Sequence, residues 1–421
     1  MSKIQIYKPN KRSIRGNVSL SGAKNSALKV LTASVLAQGE VVLDNIPLDI
    51  EDVKIKLEML RGIGARIEED RPGRVRISWP DTGPEVEVPG EFGSIRTSLL
   101  FLGALLSRKG KASIPLPGGC KIGGRKHDLH LMALRKYGAE CRENDFRIHA
   151  QAERLKGTEI RFPLRTTGGT ENAILAGVLA EGKTRIYNAH TRPEVLDLIQ
   201  FLNSLGAKVQ VPGSGLIEIQ GVEKLSGGYY EVIYDNLEAM TFAAYAAITG
   251  SRISIRHFPA RDLEIPLIYL RESGVQFQQK GDRMIISRPG ILAPFDLSTG
   301  TYPGVNSDMQ PLFTVLATQA EGESKITDIR FRDRFQYVSE LKTMGAEIKR
   351  KGSTVTIKGP TPLQGTTVQA TDLRGGAALT AAALVAEGET TIEQAEQIDR
   401  GYENFDQKIS RLGVNLKRVQ D

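Results

Sequence analysis

Cysteine is nearly absent: 421 residues hold two, Cys120 and Cys141. Two thiols cannot build a disulfide framework, so a reducing, cytoplasmic setting is expected. Histidine is scarce, with five in all. His127 and His130 stand near Cys120, but their spacing matches no standard zinc pattern, and no metal is expected. One tryptophan and 6 % aromatic residues leave few stacking platforms. The basic residues behind the net charge of +7 are scattered, so nucleic-acid binding is not expected. No apolar run is long enough to span a bilayer, and no charged segment with an apolar follow-on opens at Met1. The longest apolar runs, 98–106 and 376–386, read as buried helices. Ser21-Gly-Ala-Lys24-Asn-Ser lacks the spacing of a nucleoside-triphosphate loop, and dinucleotide fingerprints are missing. No orienting Asn/Asp–His pair supports a cysteine-protease reading.

Glycine is plentiful, and six glycines keep time. Gly64, Gly138, Gly206, Gly274, Gly345 and Gly413 each follow a helix-like apolar run and precede a short strand, at gaps of 74, 68, 68, 71 and 68 residues. Ahead of most of them lie another Ala/Leu-rich helix, a small-residue turn, a strand and a polar turn. A period near 70 is too long for the common solenoids, whose units run about 20–50 residues. The chain therefore reads as six α/β modules in a duplicated architecture, with a site expected where modules face one another. Its length favours two domains. The symmetry places three modules in each, with crossings near Ala23 and Tyr234. The expected domains are 1–23 plus 234–421, and 24–233, with the N-terminal strand joining the C-terminal half.

The most unusual segment is Leu116-Pro-Gly-Gly-Cys120-Lys-Ile-Gly-Gly-Arg125-Lys126-His-Asp128. Its four glycines cannot support a regular element, so a mobile loop is expected. Lys121, Arg125, Lys126 and His127 flank the thiol, and positive neighbours favour a thiolate. Cys120 is the expected reactive sulfur, while Cys141 is expected only to pack.

The openings of the repeated helices carry distinct polar residues. They are Lys24-Asn25, Arg96, Thr166-Thr167-Gly168, Asp235 with Glu238, Ser307-Asp308, and Asp372-Leu373-Arg374, with Arg400 at the start of a final helix. Helix N-termini present unpaired N–H groups and the positive end of the dipole, suited to phosphate and carboxylate. Recurrence at six matching places points to a shared anion-binding cleft.

These words together resemble the enolpyruvyl transferases, and within them the UDP-N-acetylglucosamine 1-carboxyvinyltransferase family. The resemblance runs from about Ile4 to Lys417 through Ser-Gly-Ala-Lys24-Asn25, Leu-Pro-Gly-Gly-Cys120, Arg125 with Asp128-Leu129, and Gly168-Gly-Thr-Glu-Asn. It continues through Ser307-Asp308-Met-Gln, Asp333-Arg334-Phe335, Thr371-Asp372-Leu-Arg374 and Ile-Asp399-Arg400-Gly-Tyr. It implies two inside-out α/β barrel domains, each of three βαβαββ modules. It also implies transfer of the enolpyruvyl group of phosphoenolpyruvate to the 3′-hydroxyl of a nucleotide sugar, with phosphate leaving, no metal and no redox cofactor.

By the same resemblance Asp308 is the base for the attacking hydroxyl, and Cys120 the acid, with a possible covalent role. Lys24, Arg96, Arg125 and Arg400 hold the donor's phosphate and carboxylate, joined by Asn25, Asp372 and Arg374. The acceptor is expected on Arg96, Arg125, Asp128, Leu129, Thr166, Thr167, Gly168 and Asp308. Departures from the family pattern cluster on that acceptor side. They are Lys126, Asn236-Leu237 within Asp235–Glu238, Asn306-Ser307, Arg192, Arg330 and Arg332, and Lys126 and Arg330 are added to the acceptor residues. A UDP-N-acetylglucosamine acceptor is the first expectation. A more anionic acceptor such as UMP, or a non-catalytic regulatory paralogue, are the alternatives.

Overall fold

The six timed glycines are all left-handed in the computed structural model, which describes residues 2–7, 14–116 and 127–420. Their φ values are 97°, 94°, 101°, 95°, 97° and 86°. An L side chain there costs about 1–2 kcal/mol, which is why glycine recurs. At the first five, the glycine N–H reaches back three residues and the next N–H reaches a leucine carbonyl five back. Ala65 N to Leu60 O and Ala207 N to Leu202 O are examples, at 2.9 and 3.0 Å. This closes each helix and aims the chain into the next strand. Cys120, Arg125 and Lys126 lie outside the described residues.

The described chain divides into two units, one of 2–7, 14–21 and 234–420, the other of 22–116 and 127–233. Each has three sheets. In five of the six, an edge strand runs parallel to a central strand. The central strand then pairs antiparallel with a third, which pairs antiparallel with a fourth. The sixth, of Lys111–Pro115, Glu140–Glu143 and Arg147–Gln151, has three strands, its parallel edge reduced to a bridge of Glu87 with Ser113. The strand Ser2–Tyr7 sits between Glu389–Glu393 and Asn415–Gln420, so the chain's first strand completes its last module. Its Ile4 and Ile6 face the core and are wholly buried.

In the unit of residues 234–420, the helices Asn236–Thr249, Gln310–Ala317 and Leu373–Ala383 pack against one another. In the other, Leu100–Lys109 packs between Lys24–Ala33 and Thr167–Gly177. Almost every residue of these helices is buried, and apart from Lys24–Ala33, which buries two lysines, they are largely apolar. The surrounding strands alternate instead, as in Arg74–Ser78 and Lys183–Tyr187, with one face buried and the other open to solvent. Apolar helices inside and half-exposed sheets outside make each unit an inside-out α/β barrel. No helix of the described residues is long and apolar enough to cross a membrane.

Candidate active site

The expected polar residues do open the six central helices. Lys24 and Arg96 stand at first positions, Thr166, Asp235 and Asp372 are N-caps, and Asn306 caps the short turn Ser307–Met309 that leads into Gln310–Ala317. Arg400 is a correction. It follows the short helix Glu396–Asp399 as its C-terminal cap, and the next helix starts only at Phe405.

In the unit of residues 22–233, Lys24 is buried and its Nζ lies 2.7 Å from Asp52 Oδ2. Asp52 comes from the first turn of Glu51–Gly62. Arg96 belongs to a second cluster centred on buried His130. Asn172 fixes that ring. Its Oδ1 accepts from Gly103 N at 2.8 Å, so its Nδ2 faces Leu99 O and His130 Nδ1, at 2.8 and 2.9 Å. Nδ1 is thus an acceptor and the ring proton sits on Nε2. Burial, then the fields of Arg96 and His127, pushes the His130 pKa down to about 3, so the imidazole is neutral. Gly168 rests on this ring: a Cβ there would meet Cε1 at 2.5 Å and Nε2 at 2.6 Å.

Thr166 accepts from Gly169 N at 3.3 Å, and Thr167 Oγ1 lies 2.8 Å from His190 Nδ1. Asp128 and Leu129 open the helix that carries His130, with Asp128 exposed and Leu129 half-buried against the core. His130 therefore joins three expected elements: the Arg96 segment, the 128–129 opening and the 166–168 turn. Asn25 is half-buried at the start of its helix.

In the unit of residues 234–420, Asp308 meets two arginines that are each 1 % exposed. Arg334 Nη1 donates to Asp308 Oδ1, and Arg374 Nε lies 3.7 Å from Oδ2. Asp372 accepts from Arg374 N at 2.8 Å and Gly375 N at 3.2 Å, holding the backbone of Arg374. Burial opposes the charge of Arg374, yet Tyr402, Asp308 and Asp235 hold its pKa above the usual arginine value. Arg334 Nε, Arg374 Nε and Nη1, and Asp372 Oδ2 are buried with no hydrogen-bond partner among the described residues. Leaving such groups unmet costs about 1–3 kcal/mol each, and more when charged. Two buried guanidiniums with donors to spare suit an anionic ligand.

Three of the departures, Asn306, Ser307 and Arg192, are absorbed into the scaffold. Asn306 caps through a 3.1 Å bond from Asp308 N. Arg192 grips Glu194 with two bonds of 2.6 and 2.7 Å. Asp328, wholly buried, accepts from Thr299 Oγ1, from Arg330 N and Phe331 N at 3.0 and 2.9 Å, and from the Ser307 hydroxyl. It thus ties the opening that bears Asp308 to the turn that bears Arg330. Arg330 itself is half-buried.

The chain matches the profile of the EPSP synthase (3-phosphoshikimate 1-carboxyvinyltransferase) family over residues 9–409. It belongs to that family of enolpyruvyl transferases. It is 42 % identical to UDP-N-acetylglucosamine 1-carboxyvinyltransferase 1 of Carboxydothermus hydrogenoformans, covering 96 % of each chain. The namesake of Symbiobacterium thermophilum is also 42 % identical, over 98 % of this chain and 96 % of its own. Among solved structures, the enolpyruvyl transferase NikO of Streptomyces tendae superposes with a TM-score of 0.90 at 25 % identity, covering 100 % of this chain and 99 % of that one. An EPSP synthase of Acinetobacter baumannii shares the fold, with a TM-score of 0.76, 20 % identity and full coverage of both chains.

As an enolpyruvyl transferase, this chain carries residues that its motifs alone did not single out. Arg334 sits within the quoted Asp333-Arg334-Phe335, yet only its burial against Asp308 marks it. Asp52 looks like any acidic residue in a first helical turn, and His130 like a failed metal ligand.

Proposed function

We propose that the protein transfers the enolpyruvyl group of phosphoenolpyruvate to the 3′-hydroxyl of UDP-N-acetylglucosamine and releases phosphate, the first committed step of peptidoglycan precursor synthesis. The observation that carries this acceptor is 42 % identity, over nearly the whole chain, to proteins bearing that name.

In this reading Asp308 takes the hydroxyl proton as the oxygen attacks C2 of the donor, and Cys120 delivers a proton to the methylene carbon. The tetrahedral adduct then loses a proton from the methyl group so formed, and phosphate leaves with the C–O bond electrons. Lys24, Arg96, Arg125 and Arg400 are assigned to the donor's charges, and Asn25, Asp372 and Arg374 to the donor as well. The unmet donors of Arg334 and Arg374 support a carboxylate or phosphate next to Asp308. Arg96, Asp128, Leu129, Thr166, Thr167 and Gly168 take the acceptor, and the place of their three segments around His130 supports this grouping.

The test is phosphate release from phosphoenolpyruvate with UDP-N-acetylglucosamine and, separately, UMP. Turnover with the nucleotide sugar is expected. Turnover with UMP alone would instead favour a second reading, a more anionic acceptor, for which the half-buried Arg330 on the Asp328 turn speaks.

A further inference from the structure

Lys56 is a wholly buried lysine that the reaction above does not use. It lies one helical turn after Asp52 on Glu51–Gly62, so the two share a face. Its Nζ donates to Thr97 O at 3.0 Å and sits 4.4 Å from the centre of the Phe101 ring. Thr97 directly follows Arg96, and Asp52 is the carboxylate that holds Lys24. One interior amine thus touches the Arg96 segment and stands one helical turn from the carboxylate that holds Lys24, two cations that the proposed function assigns to the donor.

We propose that Lys56 is a positioning residue of the donor site, bracing the Arg96 segment through Thr97 and sharing Asp52 with Lys24, so that an anion held by Lys24 and Arg96 draws a proton onto Lys56. This inference rests on the proposed function. The physical reason is charge balance. With Lys56 neutral, Lys24 and Asp52 cancel, and Arg96 is the charge on the segment that Lys56 touches. An arriving phosphate adds negative charge, and in a poorly solvated interior the cheapest compensation is a proton on the nearest amine. The amine is poised for this. Burial pulls its pKa down to about 7, with Asp52 pulling the other way. Among the described residues, Asp52 on its own helix is the charge that acts on it, with Lys24 held on Asp52 and Arg96 next to Thr97.

The test is the Michaelis constant for phosphoenolpyruvate between pH 6.5 and 8.5, in the wild-type protein and in Lys56→Met. Below pH about 7 Lys56 already carries its proton, so binding needs none. Above it, binding must take one up, and the wild-type constant should rise about tenfold per pH unit. In Lys56→Met that rise should vanish, the constant at low pH should be about tenfold above wild type, and kcat should change less than about threefold. A wild-type profile that stays flat overturns the proposal without needing the variant. So does a variant that keeps the wild-type slope. A purely structural role would lower thermal stability but leave the slope in place. Absence of phosphate release with every acceptor would overturn the proposed function itself, and this inference with it.

Discussion

Arg334 lies 1 % exposed with its Nη1 hydrogen-bonded to Asp308 Oδ1. An interior guanidinium thus holds the carboxylate proposed as base. Removing that carboxylate has two separable consequences. Asp308→Asn should cut phosphate release by at least about a hundredfold with little change in melting temperature, because an amide still accepts from Arg334. Asp308→Ala should lose the same activity and also about 1–3 kcal/mol of stability, because the buried Arg334 Nη1 then has no acceptor in place of Asp308. Steady-state kinetics and calorimetry distinguish the two, and an Asp308→Asn protein with a tenth of normal turnover would remove the residue from its role.

The thiols should react unequally. Cys141 is half-buried against the core, and burial raises its pKa. An epoxide that mimics phosphoenolpyruvate, of the fosfomycin type, should label Cys120 and spare Cys141. Cys120→Asp should escape labelling while retaining turnover, since a carboxyl group also delivers protons. Peptide mapping that finds the adduct on Cys141 alone would contradict this.

Asp197 offers a pH signature. Burial lifts its pKa from 3.8 to about 6, against hydrogen bonds from Ser26 and from Tyr230 OH, the latter at 2.6 Å. A carboxyl raised in the folded state stabilises below its unfolded pKa, and that stability is lost as pH rises through the folded value. Relative to wild type, Asp197→Asn should therefore gain up to about 3 kcal/mol between pH 4 and 7. Urea unfolding of both proteins across that range measures it, and a pH-independent difference would show that Asp197 does not titrate there.

The acceptor side can be tested through its departures. If Lys126 and Arg330 meet acceptor charge, Lys126→Pro and Arg330→Ile should each weaken the native acceptor by about 1–3 kcal/mol. The constant for phosphoenolpyruvate should stay nearly unchanged. Wild-type turnover of UDP-N-acetylglucosamine at ordinary rates, with the same behaviour in the double variant, would show that these positions do not select the acceptor.

By itself, the sequence determined the module count, the strand–helix order and the polar openings of the central helices. Those are local matters: a left-handed turn demands glycine at Gly64 or Gly206, and a capping position demands Thr166 or Asp372. The roles proposed for Cys120 and Asp308 likewise rest on words short enough to be read without a fold. The partners of Asp308, Lys24 and His130 were decided by tertiary structure. Arg334 on Asp308, Asp52 on Lys24, and Asn172 on His130 join positions far apart in the chain. Only packing says which charges lose their water and must find one another. Arg400 was misplaced for a related reason, since neither the short helix before it nor the four residues before the next one has enough apolar period to be read. What makes Lys56 differ from any surface lysine is burial, and burial is a property of the folded chain alone.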